Sequence, residues 1–170
     1  PIKSSAASDV YKRQVKNTDL YTPVFLAGTM GLRRSEVLGL RWSDINFETQ
    51  TMCIQHTVVK CIKDHKITLV FSDFPKTRAS RRTLPLPSGV LRYLKELRRR
   101  QCDNYTAHRD KYSREYLKYI CVDDMGLIVK PDDLSVGFGR IMAEMNFHCR
   151  FHDLRHTCAS LLVQHGVELK

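Results

Sequence analysis

Apolar residues recur along this chain in two rhythms, the three-to-four spacing of helices and the short β-branched runs of strands. Between Asp19 and about Thr29, Leu20, Val24, Phe25, Leu26 and Met30 predict a buried helix that Gly28 and Gly31 help to end. A short second helix follows, with Ser35 as its cap, Glu36 in its first turn, and Val37, Leu38 and Leu40 turned inward. This leaves Arg33 beside a helix N-terminus, placed to project into a cleft. The runs Thr51–Val59 and Ile67–Phe71 read as a hairpin joined through Lys60–Lys66, and Ser80–Leu86 supplies a third strand.

A long helix is predicted from Ser88 to about Cys102, apolar at Val90, Leu91, Leu94 and Leu97 and basic at Arg92, Lys95, Arg98, Arg99 and Arg100. Asn104–Lys118 reads as a loop with a short helix, and Tyr119–Val122 with Gly126–Val129 as a minor hairpin. Ser135–Met145 is another helix, facing inward through Phe138, Ile141, Met142 and Met145. The last helix carries His152, Arg155, His156 and Ala159 on one face and Leu154, Cys158, Leu161 and Leu162 on the other, with Gly166 as its stop. A guanidinium and an imidazole one turn apart on a buried helix make a preorganised anion site. The fold class is therefore α+β, mainly α, with a small three-stranded antiparallel sheet.

Three strings carry chemistry. Gly31-Leu32-Arg33-Arg34-Ser35-Glu36, continuing to Leu40-Arg41-Trp42-Ser43-Asp44-Ile45, is the first. Pro75-Lys76-Thr77-Arg78-Ala79-Ser80-Arg81-Arg82-Thr83-Leu84-Pro85-Leu86 is the second, and His152-Asp153-Leu154-Arg155-His156-Thr157 the third. Singly, the first two have ordinary readings, a charged helix start over the apolar knot of Leu38, Leu40, Trp42 and Ile45 and a solvated charge run, and an isolated His-x-x-Arg is weak evidence. Together and in this order they resemble the three boxes of the tyrosine recombinase (phage integrase) family. The resemblance implies that Arg33, Lys76, His152 and Arg155 are catalytic, that Glu36 orients active-site side chains, and that His156 is structural. It leaves Arg34, Arg78, Arg81 and Arg82 as DNA-backbone contacts.

The implied chemistry is site-specific DNA recombination, in the integration or excision of a mobile element, by transesterification through a 3′-phosphotyrosyl intermediate. Arg33 and Arg155 would clamp the phosphate, Lys76 would protonate the departing 5′-oxygen, and His152 would assist the nucleophile. The covalent intermediate conserves bond energy, so no cofactor and no metal are expected. The family's nucleophilic tyrosine follows the third box. Tyr21, Tyr93, Tyr105, Tyr112, Tyr116 and Tyr119 all precede it and read as core or surface aromatics, so the nucleophile is expected beyond Lys170. By that reading residues 15–170 are a partial catalytic domain lacking its C-terminal part, and the chain alone is inactive in cleavage. Expected partners are double-stranded DNA and, for the whole enzyme, three further copies in a tetramer on paired sites. A type IB topoisomerase-like enzyme and a catalytically silent DNA-binding module are the alternatives. Full recombinase strings argue against the first, and retention of all four catalytic residues against the second.

Charge and cysteine content fit this picture. The 170 residues carry a net charge of +10, which favours a polyanionic partner. Residues 1–14 read as a disordered tail or as the translated end of a sequencing adapter, which Asp9-Val10-Tyr11-Lys12-Arg13-Gln14 resembles. Without Lys3, Asp9, Lys12 and Arg13 the charge is still +8. The nearest metal-like spacing, Cys53-x2-His56-x4-Cys61-x3-His65, falls on a predicted strand where residues 53 and 56 point to opposite faces. The six cysteines therefore read as reduced, partly buried thiols. No apolar run is long enough for a membrane span or signal core, so a cytoplasmic, nucleoid-associated protein is expected.

Overall fold

A computed structural model of the chain describes residues 15–16, 18–63, 65–73 and 81–164, the last five of these by helical backbone only. Helix α1 spans Tyr21–Met30 and α2 Arg34–Gly39, followed by a 3-10 turn at Trp42–Asp44. The strands are β1 Ile45–Asn46, β2 Thr51–Ile54, β3 Thr57–Lys63, β4 Lys66–Ser72 and β5 Arg82–Pro85. Three helices complete the order: α3 Ser88–Ala107, α4 Pro131–Glu144 and α5 Asp153–Gln164. The expected class, helices around small antiparallel sheets, is the architecture observed.

Strand membership differs from the expectation. The run expected as one strand, Thr51–Val59, breaks at Gln55 and His56, so β2 and β3 enter different sheets. One sheet has the order β1-β2-β5; the other is the β3-β4 hairpin, paired from Thr57↔Ser72 to Lys63↔Lys66. The break has two visible causes. Asp44, itself buried, draws both Gln55 and His56 out of the ladder, accepting from Gln55 Nε2 at 2.7 Å and lying 2.9 Å from His56 Nδ1. Gly39 then packs on the exposed backbone so closely that an added Cβ would lie 2.5 Å from the His56 carbonyl oxygen.

Helix ends moved for similar local reasons. Gly28 lies inside α1, and Gly31 alone ends it, at φ 65° with its N–H donating to the Ala27 carbonyl at 3.0 Å. The cap of α2 is Arg33 rather than Ser35, because the Glu36 carboxylate accepts the Arg33 backbone N–H at 2.9 Å. Helix α3 runs five residues past Cys102, absorbing the start of the expected loop. Helix α4 starts four residues early, at Pro131, where a missing N–H costs nothing. The minor hairpin is reduced to the isolated bridge Val122↔Ile128, and Tyr119 bridges Arg41 instead. Gly166 lies outside the described residues.

The core joins Leu26 of α1, Leu38 of α2, Met52 and Ile54 of β2, Leu94 of α3 and Leu134, Phe138 and Met142 of α4, all essentially without exposure. Leu154 of α5 closes it from the other end, and α5 packs along α1. Trp42 donates from Nε1 to Gln101 at 3.0 Å, tying the 3-10 turn to α3. Burial of this set positions two helix N-termini, those of α2 and α5, around the α1 stop at Gly31.

Candidate active site

Everything in the site is built on Gly31. Its left-handed conformation turns the chain out of α1 and leaves its carbonyl facing α5, where Arg155 Nη1 donates to it at 2.6 Å. Two residues later Arg33 stands at the start of α2 with about half of its side chain exposed. Its Nη1 donates to Glu36 Oε1 at 2.9 Å, while the same carboxylate caps its backbone N–H. Helix α2 therefore aims its first cation with its own third residue.

Glu36 is almost fully buried and has a second cation. Arg82 donates from Nη1 to Oε1 at 3.0 Å and from Nη2 to Oε2 at 2.9 Å, a planar two-point fork. Burial works to raise the Glu36 pKa, but the hydrogen bonds from Arg82 and Arg33 outweigh it and bring it down to about 2. Arg155, partly buried, is pushed down from the usual arginine value by desolvation and then by repulsion from Arg33 and Arg82. An arginine remains charged at neutral pH even so. Two guanidiniums thus hold one carboxylate, and the third, Arg155, lies within electrostatic reach, leaving the cluster net positive.

His152 precedes α5, exposed, its ring edge-on to His156 with centroids 5.4 Å apart. The helix behind it is fixed by Asp153, which accepts the Arg150 backbone N–H at 2.8 Å, and by buried Leu154. Arg33 and His152 line one cleft of about 540 Å³, together with Arg34, Arg150, Cys149 and Phe151. Arg33, Arg34 and Arg150 give the cleft a cationic lining. Arg34 is exposed and ties α2 to α4, donating to Ser135 Oγ at 2.6 Å and to the Pro131 carbonyl at 3.4 Å.

Of the residues expected from the sequence, Arg33, Glu36, Arg155 and His152 are brought together, and Arg34 borders them. Arg81 points outward and donates to Gln55 Oε1 at 2.9 Å. Arg82, expected among the DNA contacts, turns inward and commits both terminal nitrogens to Glu36. Lys76 and Arg78 lie outside the described residues. His156 is exposed, beside the His152 ring. The sequence reading missed Arg150 and Cys149 in the cleft, and the buried Asp44 that holds His56. Among the described residues no group of three or more potential metal ligands assembles, and His56 of the metal-like spacing is bonded to Asp44 instead. Cys121 and Cys158 are buried, and Cys61 and Cys102 are exposed. No described helix is long and apolar enough to cross a membrane.

A sequence profile described as the Phage integrase family matches residues 5–170. A tyrosine recombinase XerC-like protein of Caldanaerobacter subterraneus subsp. tengcongensis is 32% identical over 165 residues, covering 94% of this chain and 42% of that protein. The chain therefore spans less than half the length of this curated relative. Among solved structures, the Tn1549 transposon integrase in complex with transposon right end DNA superposes with a TM-score of 0.74 at 19% identity, over 99% of this chain and 54% of that one. A XerA recombinase superposes at 0.65 with 13% identity, over 99% of this chain and 51% of the other. A lambda integrase dimer bound to a COC′ core site gives 0.57 at 14% identity, over 95% of this chain and 40% of that one. With its profile matched over nearly the whole length, this fold and these three boxes, the chain belongs to the phage integrase family of tyrosine recombinases.

Proposed function

We propose that the cleft binds and activates a DNA phosphodiester for site-specific recombination in the movement of a mobile element. The observation that carries this reading is that Arg33 and His152 line one cleft while Arg155, bonded to the Gly31 carbonyl, lies near enough to Arg33 to be repelled by it, with Glu36 holding Arg33 in place. Both guanidiniums would donate to the non-bridging oxygens, where negative charge grows as phosphorus becomes five-coordinate. His152 would accept or share the proton of the attacking hydroxyl, and Lys76 would give a proton to the 5′-oxygen as its bond to phosphorus breaks. A tyrosine oxygen forms the new bond to phosphorus, leaving a 3′-phosphotyrosyl ester and a free 5′-hydroxyl. Rejoining is the same step reversed with the 5′-hydroxyl of another strand. The similar Tn1549 and lambda integrases, solved with DNA, support duplex DNA as the partner. A tetramer on two paired sites is the assembly this chemistry requires for exchange of all four strands.

The nucleophile is not among the tyrosines of the described residues. Tyr21 and Tyr93 pack with Phe25, Tyr116 and Tyr119 with Phe71, and Tyr105 with Tyr112. None of them lines the cleft. The whole enzyme must supply the attacking tyrosine from outside this set.

Strand cleavage by the whole enzyme tests the proposal. Arg33→Ala or Arg155→Ala should slow it by about a hundredfold or more, the usual cost of removing a transition-state charge donor. Arg34→Ala, whose guanidinium is spent on α4, should cost far less. Equal losses at residues 33 and 34 would shift the catalytic register by one and defeat the assignment.

A further inference from the structure

We propose that Arg82 is a positioning residue, which acts on the phosphate through Glu36 and Arg33. In β5 the side chains at Arg82 and Leu84 turn inward, with Leu86 buried just beyond, while Arg81, Thr83 and Pro85 face solvent. Pairing of β2 with β5 sets Arg82 opposite Ile54, at the edge of the core. From there its fork meets both oxygens of Glu36 at 3.0 and 2.9 Å. Glu36 has no room to leave this geometry, because it is buried in the first turn of α2 and also caps that helix.

Two consequences follow for Arg33. The first is geometric: Oε1 receives both Arg33 Nη1 and Arg82 Nη1, so Arg82 fixes the atom on which Arg33 rests. The second is electrostatic. A lone Arg33–Glu36 pair would be close to neutral, and the carboxylate would compete with an incoming phosphate for the guanidinium. Arg82 offsets that charge, so Arg33 keeps its attraction for an anion while staying oriented. The depressed pKa of Glu36, about 2, agrees with a carboxylate shared by two cations. This inference rests on the reading of Arg33 as a phosphate ligand.

The test uses the 170-residue chain and a short fluorescent duplex. Affinity is measured against salt for the unaltered chain, Arg82→Gln, Glu36→Gln and the double variant, with thermal unfolding to confirm folding. A positioning role predicts that Arg82→Gln weakens binding by about tenfold, the scale of one charge-assisted hydrogen bond. It also predicts no further loss when Arg82→Gln is added to Glu36→Gln, and an unchanged salt slope. Full additivity, with the slope reduced by about one, would make Arg82 a direct phosphate contact and overturn the proposal. Arg82→Lys keeps the charge without the fork, and folds under milder strain; complete rescue by lysine would overturn the geometric half.

A second readout stands apart from DNA. Carbon-13 titration of the Glu36 carboxyl should move up from about 2 toward its ordinary 4.5 in Arg82→Gln, with a change in the Arg33 Nε signal. Unmoved signals would refute the proposal whatever the duplex does. If these signals move while Arg33→Ala leaves duplex binding intact, the positioning holds and the phosphate-binding role of Arg33 is what fails.

Discussion

Glu36 is the residue on which the site's electrostatics turn. It is a buried carboxylate held by Arg82, Arg33 and a backbone N–H, with its pKa brought down to about 2. A carboxylate whose folded pKa lies below its unfolded value stabilises the fold above the unfolded value and ceases to do so as pH falls through the folded one. Acid unfolding should therefore gain a component between about pH 4.5 and pH 2, and Arg82→Gln should flatten it. Thermal melts across that range check this; melts of Arg82→Gln with the same acid slope would contradict it. At this scale the sequence was readable where a motif fixed the position, as at Arg33 and Arg155. It misled at Arg82, where the density of arginines between Arg78 and Arg82 hid a simple parity with Leu84 and Leu86. Arg150 was invisible because nothing in its spacing separates it from a solvated charge.

Between β2 and β3 the element scale shows what periodicity leaves out. Five of the nine residues of Thr51–Val59 are β-branched, and local propensity supports one continuous strand. A side chain seven or more residues upstream breaks it, because buried Asp44 must be satisfied and takes Gln55 and His56 to do so. Gly39 is the complementary half of that break. Gly39→Ala would drive a Cβ to 2.5 Å from the His56 carbonyl oxygen and 2.6 Å from Thr57 Cα, both backbone atoms that cannot swing aside. Overpacking of this kind costs about 1–3 kcal/mol. Chemical denaturation should show a loss in that range, together with disturbed amide signals at Gln55–Thr57; an unchanged midpoint would mean that the hinge relaxes freely. Helix existence and order were legible from the three-to-four spacing, and the ends were not, since caps such as Arg33–Glu36 and Pro131 are decided by single hydrogen bonds and a missing N–H.

At the scale of the molecule, net charge supports the proposed DNA partner. The chain carries +10, and its cleft gathers Arg33, Arg34, Arg150 and His152 at two helix N-termini. The class of fold was legible because hydrophobic rhythm determines which elements form; how the five described strands divide between two sheets depended on contacts far apart in sequence. On its own the 170-residue chain should form no covalent adduct with a nicked suicide substrate. Its described tyrosines sit in aromatic clusters, and Tyr93 is pushed up to about 12 by burial. A denaturant-resistant protein–DNA species mapped to any of Tyr21, Tyr93, Tyr105, Tyr112, Tyr116 or Tyr119 would overturn the placement of the nucleophile. The most direct measurement of the central claim is duplex affinity against salt for the unaltered chain, Arg33→Ala and Arg155→Ala. A phosphodiester cleft predicts binding that weakens steeply as salt rises, with the slope reduced by about one in each variant. Affinity that stays flat from low to physiological salt, or that ignores both arginines, would contradict it.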